Sequence, residues 1–229
     1  MPLRRLIVLC VLMGVPILGW LAWRNISSHR QPMPGPTIEK QPVAFAIRTF
    51  DPSAPPADMP PLRPGEEAQC DSNFLSNASV GGEAERNDVT HAIVTITRIK
   101  VTLQLNVTIW APNNASQHVL EHEEGHRQIS EYYYQSADKL AERIAARHMG
   151  EHLLVTGTNL DAEFSKVLQQ MGADITAEYN KALNPEPAQL RYDAITDHSR
   201  NDVVAKDAVA QALKEIELAS TQPGTNPGN

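Results

Sequence analysis

At 229 residues the chain has room for one domain of ordinary size plus accessory segments, and its net charge of −7 argues against nucleic acid as a main partner. No basic run able to neutralise a phosphate backbone occurs anywhere in it. Its cysteines are Cys10, inside an apolar terminal stretch, and Cys70, so no disulfide framework is expected.

Taken in chain order, Arg4 and Arg5 precede an uncharged apolar run over 6–23 that ends at Arg24. Its length approaches the roughly twenty residues that a helix needs to cross hydrocarbon, and Trp20 and Trp23 suit the membrane–water interface. The run predicts an uncleaved signal anchor, a transmembrane helix over 1–24. It puts the rest of the chain on the periplasmic or extracellular side of the cytoplasmic membrane. Secretion after signal cleavage is the alternative, which the bulky Trp20 in Gly19-Trp20-Leu21-Ala22 disfavours.

Residues 25–42 contain Pro32, Pro34, Pro36 and Pro42 and read as an extended linker. A short apolar–polar alternation over 43–50 predicts a strand, and the proline-rich stretch 51–67 predicts irregular chain. The clearest β region is 90–110. Val94 and Ile96 keep two-residue spacing in its first half, and Val101, Leu103, Leu105, Val107 and Ile109 in its second. A turn or a change of register is expected at Arg98, Ile99 and Lys100 between the halves.

Ser116 is a candidate helix cap, after which the pattern turns helical from 117 to about 153. A second amphipathic helix is expected over 161–183 and a third over most of 188–218, with a disordered tail over 219–229. Strands followed by helices predict an α+β domain over 43–218.

The chemistry concentrates on the first helix. His122 and His126 are four residues apart, so both imidazoles leave one helix face and can reach one Zn2+ at about 2 Å. Glu123 lies about 100° round the helix, beside the metal position, where a carboxylate can act as general base toward metal-activated water. Ile129 and Tyr133 share the histidine face, so the ligands are expected to point into packed protein. Gly125 costs about 1 kcal/mol relative to alanine inside a helix, and close approach of a strand or substrate would explain its presence. His118 also lies on this face, but three successive turns of a straight helix do not easily surround one ion. His148 and His152 form another four-residue pair with no glutamate in the required place, and are read as solvent-facing.

A third ligand must come from elsewhere, and the later block Arg191-Tyr192-Asp193-Ala194-Ile195-Thr196-Asp197-His198 offers donors. His122-Glu-Glu-Gly-His126 with Arg127-Gln128-Ile129-Ser130-Glu131, together with Tyr192-Asp193-x-x-Thr196-x-His198, resembles the predicted bacterial zinc-dependent proteases grouped as domain-of-unknown-function family 922. The resemblance covers roughly 90–207. It implies a zincin-like fold in which the first block supplies two metal ligands and the base. Where that family often has glycine after the second-block histidine, this chain has Ser199.

His198 is the first candidate for third ligand and Asp193 the second. They lie about 140° apart round a helix, so only one is expected to reach the ion unless the helix breaks. Tyr192 is a candidate donor to a developing oxyanion, with a buried core tyrosine as the other reading. The expected architecture is a small antiparallel sheet packed on long helices. The expected protein is a membrane-anchored zinc metallopeptidase acting on peptide or protein substrates, the alternative being a non-catalytic zinc-binding or scaffold protein of the cell envelope. Glu123 separates the two, because a structural zinc site does not need it.

Overall fold

A computed structural model describes residues 34–63 and 65–221. The expected signal anchor, the first half of the linker (25–33) and the tail from 222 onward lie outside the described residues. Among those described, no helix is long and apolar enough to cross a membrane.

The domain is α+β and is built round one long strand, β4 (His91–Pro112). Its inward residues are the apolar set that the alternation marks: Val94 and Ile96, then Val101, Leu103, Leu105, Val107 and Ile109, all 2% exposed or less. The phase changes because the register against its neighbour β3 (Gln69–Arg86) slips between Gly81 and Gly82, where Gly81 faces Arg98 and Gly82 faces Ile96. Thr97 is therefore the extra residue of a β-bulge, and β4 continues through 98–100 without a turn.

β3 runs antiparallel along one edge of β4. The other edge is shared by β5 (His152–Thr156), antiparallel at 91–95, by β1 (Thr37–Lys40), parallel at 100–103, and by β2 (Ala44–Phe50), parallel at 106–112. The sheet is thus mixed, where an antiparallel one was expected. The parallel pairings arise because β1 and β2 run end to end along β4. They are interrupted at Pro42, which lacks an N–H, and part of this run falls in the proline-rich segment read as linker. Residues 51–67 then carry the chain across the Pro112 end of β4 to the start of β3.

Five helices follow among the described residues. α1 (Gln117–Gln135) starts where expected, with the Ser116 hydroxyl accepting from the Val119 N–H at 3.2 Å. It ends at Ser136, whose φ of −101° and ψ of 8° leave the helical range, and α2 (Ala137–His148) begins at the next residue. Met149 turns extended and Gly150 takes φ 80°, so the expected long helix stops here and 152–156 become edge strand β5. His148 and His152 consequently sit on different elements.

α3 (Leu160–Ala182) is capped by the Asn159 side chain and lies against β3. α4 (Glu186–Thr196) and α5 (Ala205–Thr221) replace the expected third helix, separated by a turn at 197–204. The main core joins the inner face of β4 to Tyr134, Ile144, Ile175 and Tyr179. A smaller cluster of Ile129, Ala188, Tyr192, Ala208, Val209 and Ala212 fastens α4 and α5 onto α1. That second cluster sets the position of the functional residues.

Candidate metal centre

His122 and His126 project from α1 toward α4, and Asp193 of α4 meets them. The three Nε2 and Oδ1 atoms converge: His122 to His126 is 3.3 Å, His122 to Asp193 is 3.4 Å and His126 to Asp193 is 2.9 Å. Three donors at about 2.0–2.1 Å from a tetrahedral zinc stand about 3.3–3.4 Å apart, so the triangle has the size that such an ion requires. Asp193 and His122 are buried, 3% and 6% exposed, and His126 is half-buried.

Hydrogen bonding alone does not account for this arrangement. Although Asp193 Oδ1 approaches His126 closely, neither carboxylate oxygen has a hydrogen-bond partner among the described residues. A buried carboxylate left without such partners costs free energy, and a cation seated between the three atoms would satisfy it. The donor set, two imidazoles and one carboxylate with room for a fourth ligand, fits a zinc site of the open kind.

The far nitrogens of both rings are held in place. His126 Nδ1 lies 2.6 Å from Gln189 Oε1, and the Gln189 amide nitrogen donates to the His126 carbonyl and to Ser130 Oγ. His122 Nδ1 lies 3.3 Å from Thr196 Oγ1, whose own proton goes to the Tyr192 carbonyl. With Nδ1–H donated outward in each ring, both Nε2 lone pairs are left facing Asp193, which is the tautomer a metal needs.

Burial lowers the pKa of His122 from the usual histidine value. Burial acts in the same sense on His126, but the adjoining Asp193 carboxylate outweighs it and the net shift is upward. Asp193 is itself held below the usual carboxylate range, its burial more than offset by the two imidazoles.

Glu123 is 4% exposed and lines a cleft of about 330 Å3 beside the triad. Burial pushes its carboxyl up to about 7; the charges of Glu66 and Asp193 add to the rise, while the nearby His126 and the backbone N–H of Cys70 pull against it. Cys70 is the second residue of β3, so this carboxyl and the strand meet here. Farther along, the Ala78 N–H turns away from β4 to donate to Thr176 Oγ1 of α3. Cys70, Ser72 and Phe74 have the same parity, so their amides also face away from β4, but they open into the cleft. β3 therefore has a divided outer edge, closed by α3 near Ala78 and free of strand partners at 70–74 among the described residues.

Tyr192 has the packing role. It is 0% exposed, stacks on the His122 ring with centroids 5.0 Å apart, and donates its hydroxyl proton to the His122 carbonyl at 3.1 Å. A Cβ at position 125 would stand 2.2 Å from the Tyr192 hydroxyl oxygen, so the close approach at Gly125 is made by this ring of α4 and not by the strand or substrate expected there. Its hydroxyl is thus occupied away from the cleft, and the expected oxyanion contact does not form in this arrangement.

His198 stands beside the triad. Its Nδ1 lies 3.8 Å from Asp193 Oδ1 and 3.8 Å from Glu66 Oε1. The convergent set among the described residues is His122, His126 and Asp193, so the second candidate for third ligand takes the position expected first of His198. α4 stops at Thr196, and Asp197, His198 and Ser199 then take φ 47°, 52° and 63°. Three consecutive left-handed residues without a glycine are costly, on the order of 1–2 kcal/mol each. Ser199 occupies a backbone position that glycine accepts freely.

Sequence reasoning did not single out Gln189, Arg63 or Glu66, and gave Thr196 no role. Gln189, Asp193 and Thr196 are spaced four and three apart, one face of α4, and that spacing was a readable signal. Arg63 and Glu66 come from the irregular loop, Arg63 reaching to 3.7 Å from Asp193 Oδ2, and no spacing rule points to them. His118 is exposed on α1.

Comparison with protein-family models, curated proteins and solved structures finds no match. The resemblance to the predicted zinc-dependent proteases therefore rests on the two motif blocks alone.

Proposed function

We propose that this chain is a zinc-dependent peptidase of the cell envelope, anchored by its N-terminal apolar segment. The observation that carries the reading is the buried triangle of His122, His126 and Asp193 with a buried carboxyl, Glu123, beside it and a free strand edge opening into the same cleft. A structural metal site needs the triangle but neither of the other two features.

Zinc held by His122, His126 and Asp193 would supply Lewis acidity, able to polarise a carbonyl and lower the pKa of water. The chain's own groups do the rest. The free amides of Ser72 and Phe74 can pair with an extended peptide as an added strand, fixing its carbonyl relative to the triad. Glu123, its carboxyl near neutrality, takes a proton from the attacking water and returns it to the leaving amine. Gln189 and Thr196 keep the imidazoles in one tautomer throughout. Arg63, at the cleft wall, offers a cation to negative charge that develops on the substrate.

The test uses the full chain purified in detergent without chelator. Near-stoichiometric zinc and cleavage of unstructured polypeptide are expected. Glu123→Gln should keep the zinc and lower the cleavage rate by about 10²–10⁴-fold. Zinc without any cleavage would favour the non-catalytic alternative, and absence of zinc would reject both.

A further inference from the structure

The loop over 51–67 lines a second, open cavity, of about 590 Å3, where it crosses the end of β4. Phe50, Pro56, Met59, Leu62 and Pro112 form its apolar wall. Glu66 belongs to this wall and also to that of the metal cleft, so the two cavities adjoin. They adjoin at the start of β3: Gln69, the first residue of that strand, lines the metal cleft and donates its side-chain amide to the Pro60 carbonyl at 2.8 Å.

The cavity is held in shape. Prolines fix φ along the loop, and Pro60 and Pro61 both contribute to the lining. The Met59 N–H closes a turn onto the Pro56 carbonyl at 3.1 Å, and Arg48 of β2 clasps Asp58 at 2.5 Å. Apolar walls of fixed geometry with a few polar groups are the usual make-up of a small-ligand pocket, and rigidity of this kind lowers the entropy cost of filling one.

Resting on the peptidase reading, we propose that this proline-walled pocket receives one large apolar side chain, leucine- or phenylalanine-like, from the peptide residue flanking the bond to be cut. The argument is continuity. An extended peptide lying on the free edge at 70–74 and running toward Gln69 leaves the triad and reaches the loop at once. The metal cleft itself has four carboxylates in its wall, Glu66, Asp71, Glu123 and Glu186, and offers an apolar side chain little cover. The adjoining pocket is where such a group loses its water.

The test separates binding from cleavage by using the zinc-loaded full chain carrying Glu123→Gln. Acetylated alanine pentapeptide amides, each with one alanine replaced by phenylalanine in turn, are titrated against it. At one position phenylalanine should tighten binding about tenfold or more over the all-alanine peptide. Met59→Trp, which fills the pocket, should abolish that preference without weakening the all-alanine peptide. Leu62→Trp does the same from another wall and serves if the first variant folds poorly. Equal affinity for all the peptides would overturn the proposal, as would a preference that survives both filled variants. A preference found in this variant alongside wild-type protein that cuts nothing supports the pocket while sinking the peptidase reading.

Discussion

Alanine is a better helix former than glycine by about 1 kcal/mol, so propensity alone would have Gly125→Ala stabilise α1. The methyl, however, would stand 2.2 Å from the Tyr192 hydroxyl oxygen and 2.4 Å from its Cζ. Tyr192 cannot yield, because it is fully buried and contacts both histidine rings. Overpacking of this kind costs about 1–3 kcal/mol, so the clash should win. The variant is expected to melt at lower temperature and to bind zinc more weakly; an unchanged or higher Tm would refute the argument. Gln189 acts more locally. Gln189→Leu removes the acceptor of His126 Nδ1 and should weaken zinc binding about 10–100-fold with little change in the fold, as read by competition with a chromophoric chelator. Affinity equal to wild type would mean that the tautomer is set by something else. At this scale His122, Glu123 and His126 were legible because helical spacing fixes their relative directions. The choice between Asp193 and His198 was not, because it depends on α4 ending at Thr196 and on a left-handed turn that no rule assigns to Asp-His-Ser.

Among the elements, β4 announces itself through bulky alternating residues, and even its bulge shows as a change of phase. β3, 18 residues against the 22 of β4, carries Cys70, Ser72, Phe74, Ser76, Ala78 and Val80 on its half-buried side. Small and hydroxylated residues there give almost no hydrophobic period. β3 was missed for that reason, although it carries the free edge that opens into the cleft. The small side chains have a packing cause: α3 comes so close that a Cβ on Gly172 would stand 2.5 Å from the Ala78 carbonyl oxygen. Backbone cannot move aside as a flexible side chain can. Gly172→Ala should therefore push α3 off β3 and lower stability by about 1–3 kcal/mol despite the gain in helix propensity, and zinc content should be unaffected. Equilibrium urea unfolding measures the first and elemental analysis the second. A variant as stable as wild type would show that the helix shifts freely.

For the molecule as a whole, the triad joins α1 to α4, elements some seventy residues apart in the chain, as in His122 to Asp193. A ligand that binds only the folded state stabilises it by about 2.7 kcal/mol at a hundredfold excess over its Kd, or roughly 5–10 °C in Tm for a domain of this size. Stripping zinc with a chelator should lower Tm by about that amount, and the gap should depend on pH. Zinc needs both imidazoles neutral, so protons compete with it as pH falls through the histidine range. In the stripped protein the sign runs the other way for one group. His126 has its folded pKa raised by Asp193, so the stability that its proton confers is complete at low pH and is lost as pH rises through that value. His122, lowered by burial, opposes this in part, since its contribution is present above the usual histidine pKa and is lost on acidification. The zinc-loaded protein gains from deprotonation of both residues. The difference in Tm between loaded and stripped protein should therefore widen from pH 5.5 to pH 8, about one to two units either side of an ordinary histidine pKa. A gap that stays constant across that interval would mean that zinc is not held by this pair of imidazoles.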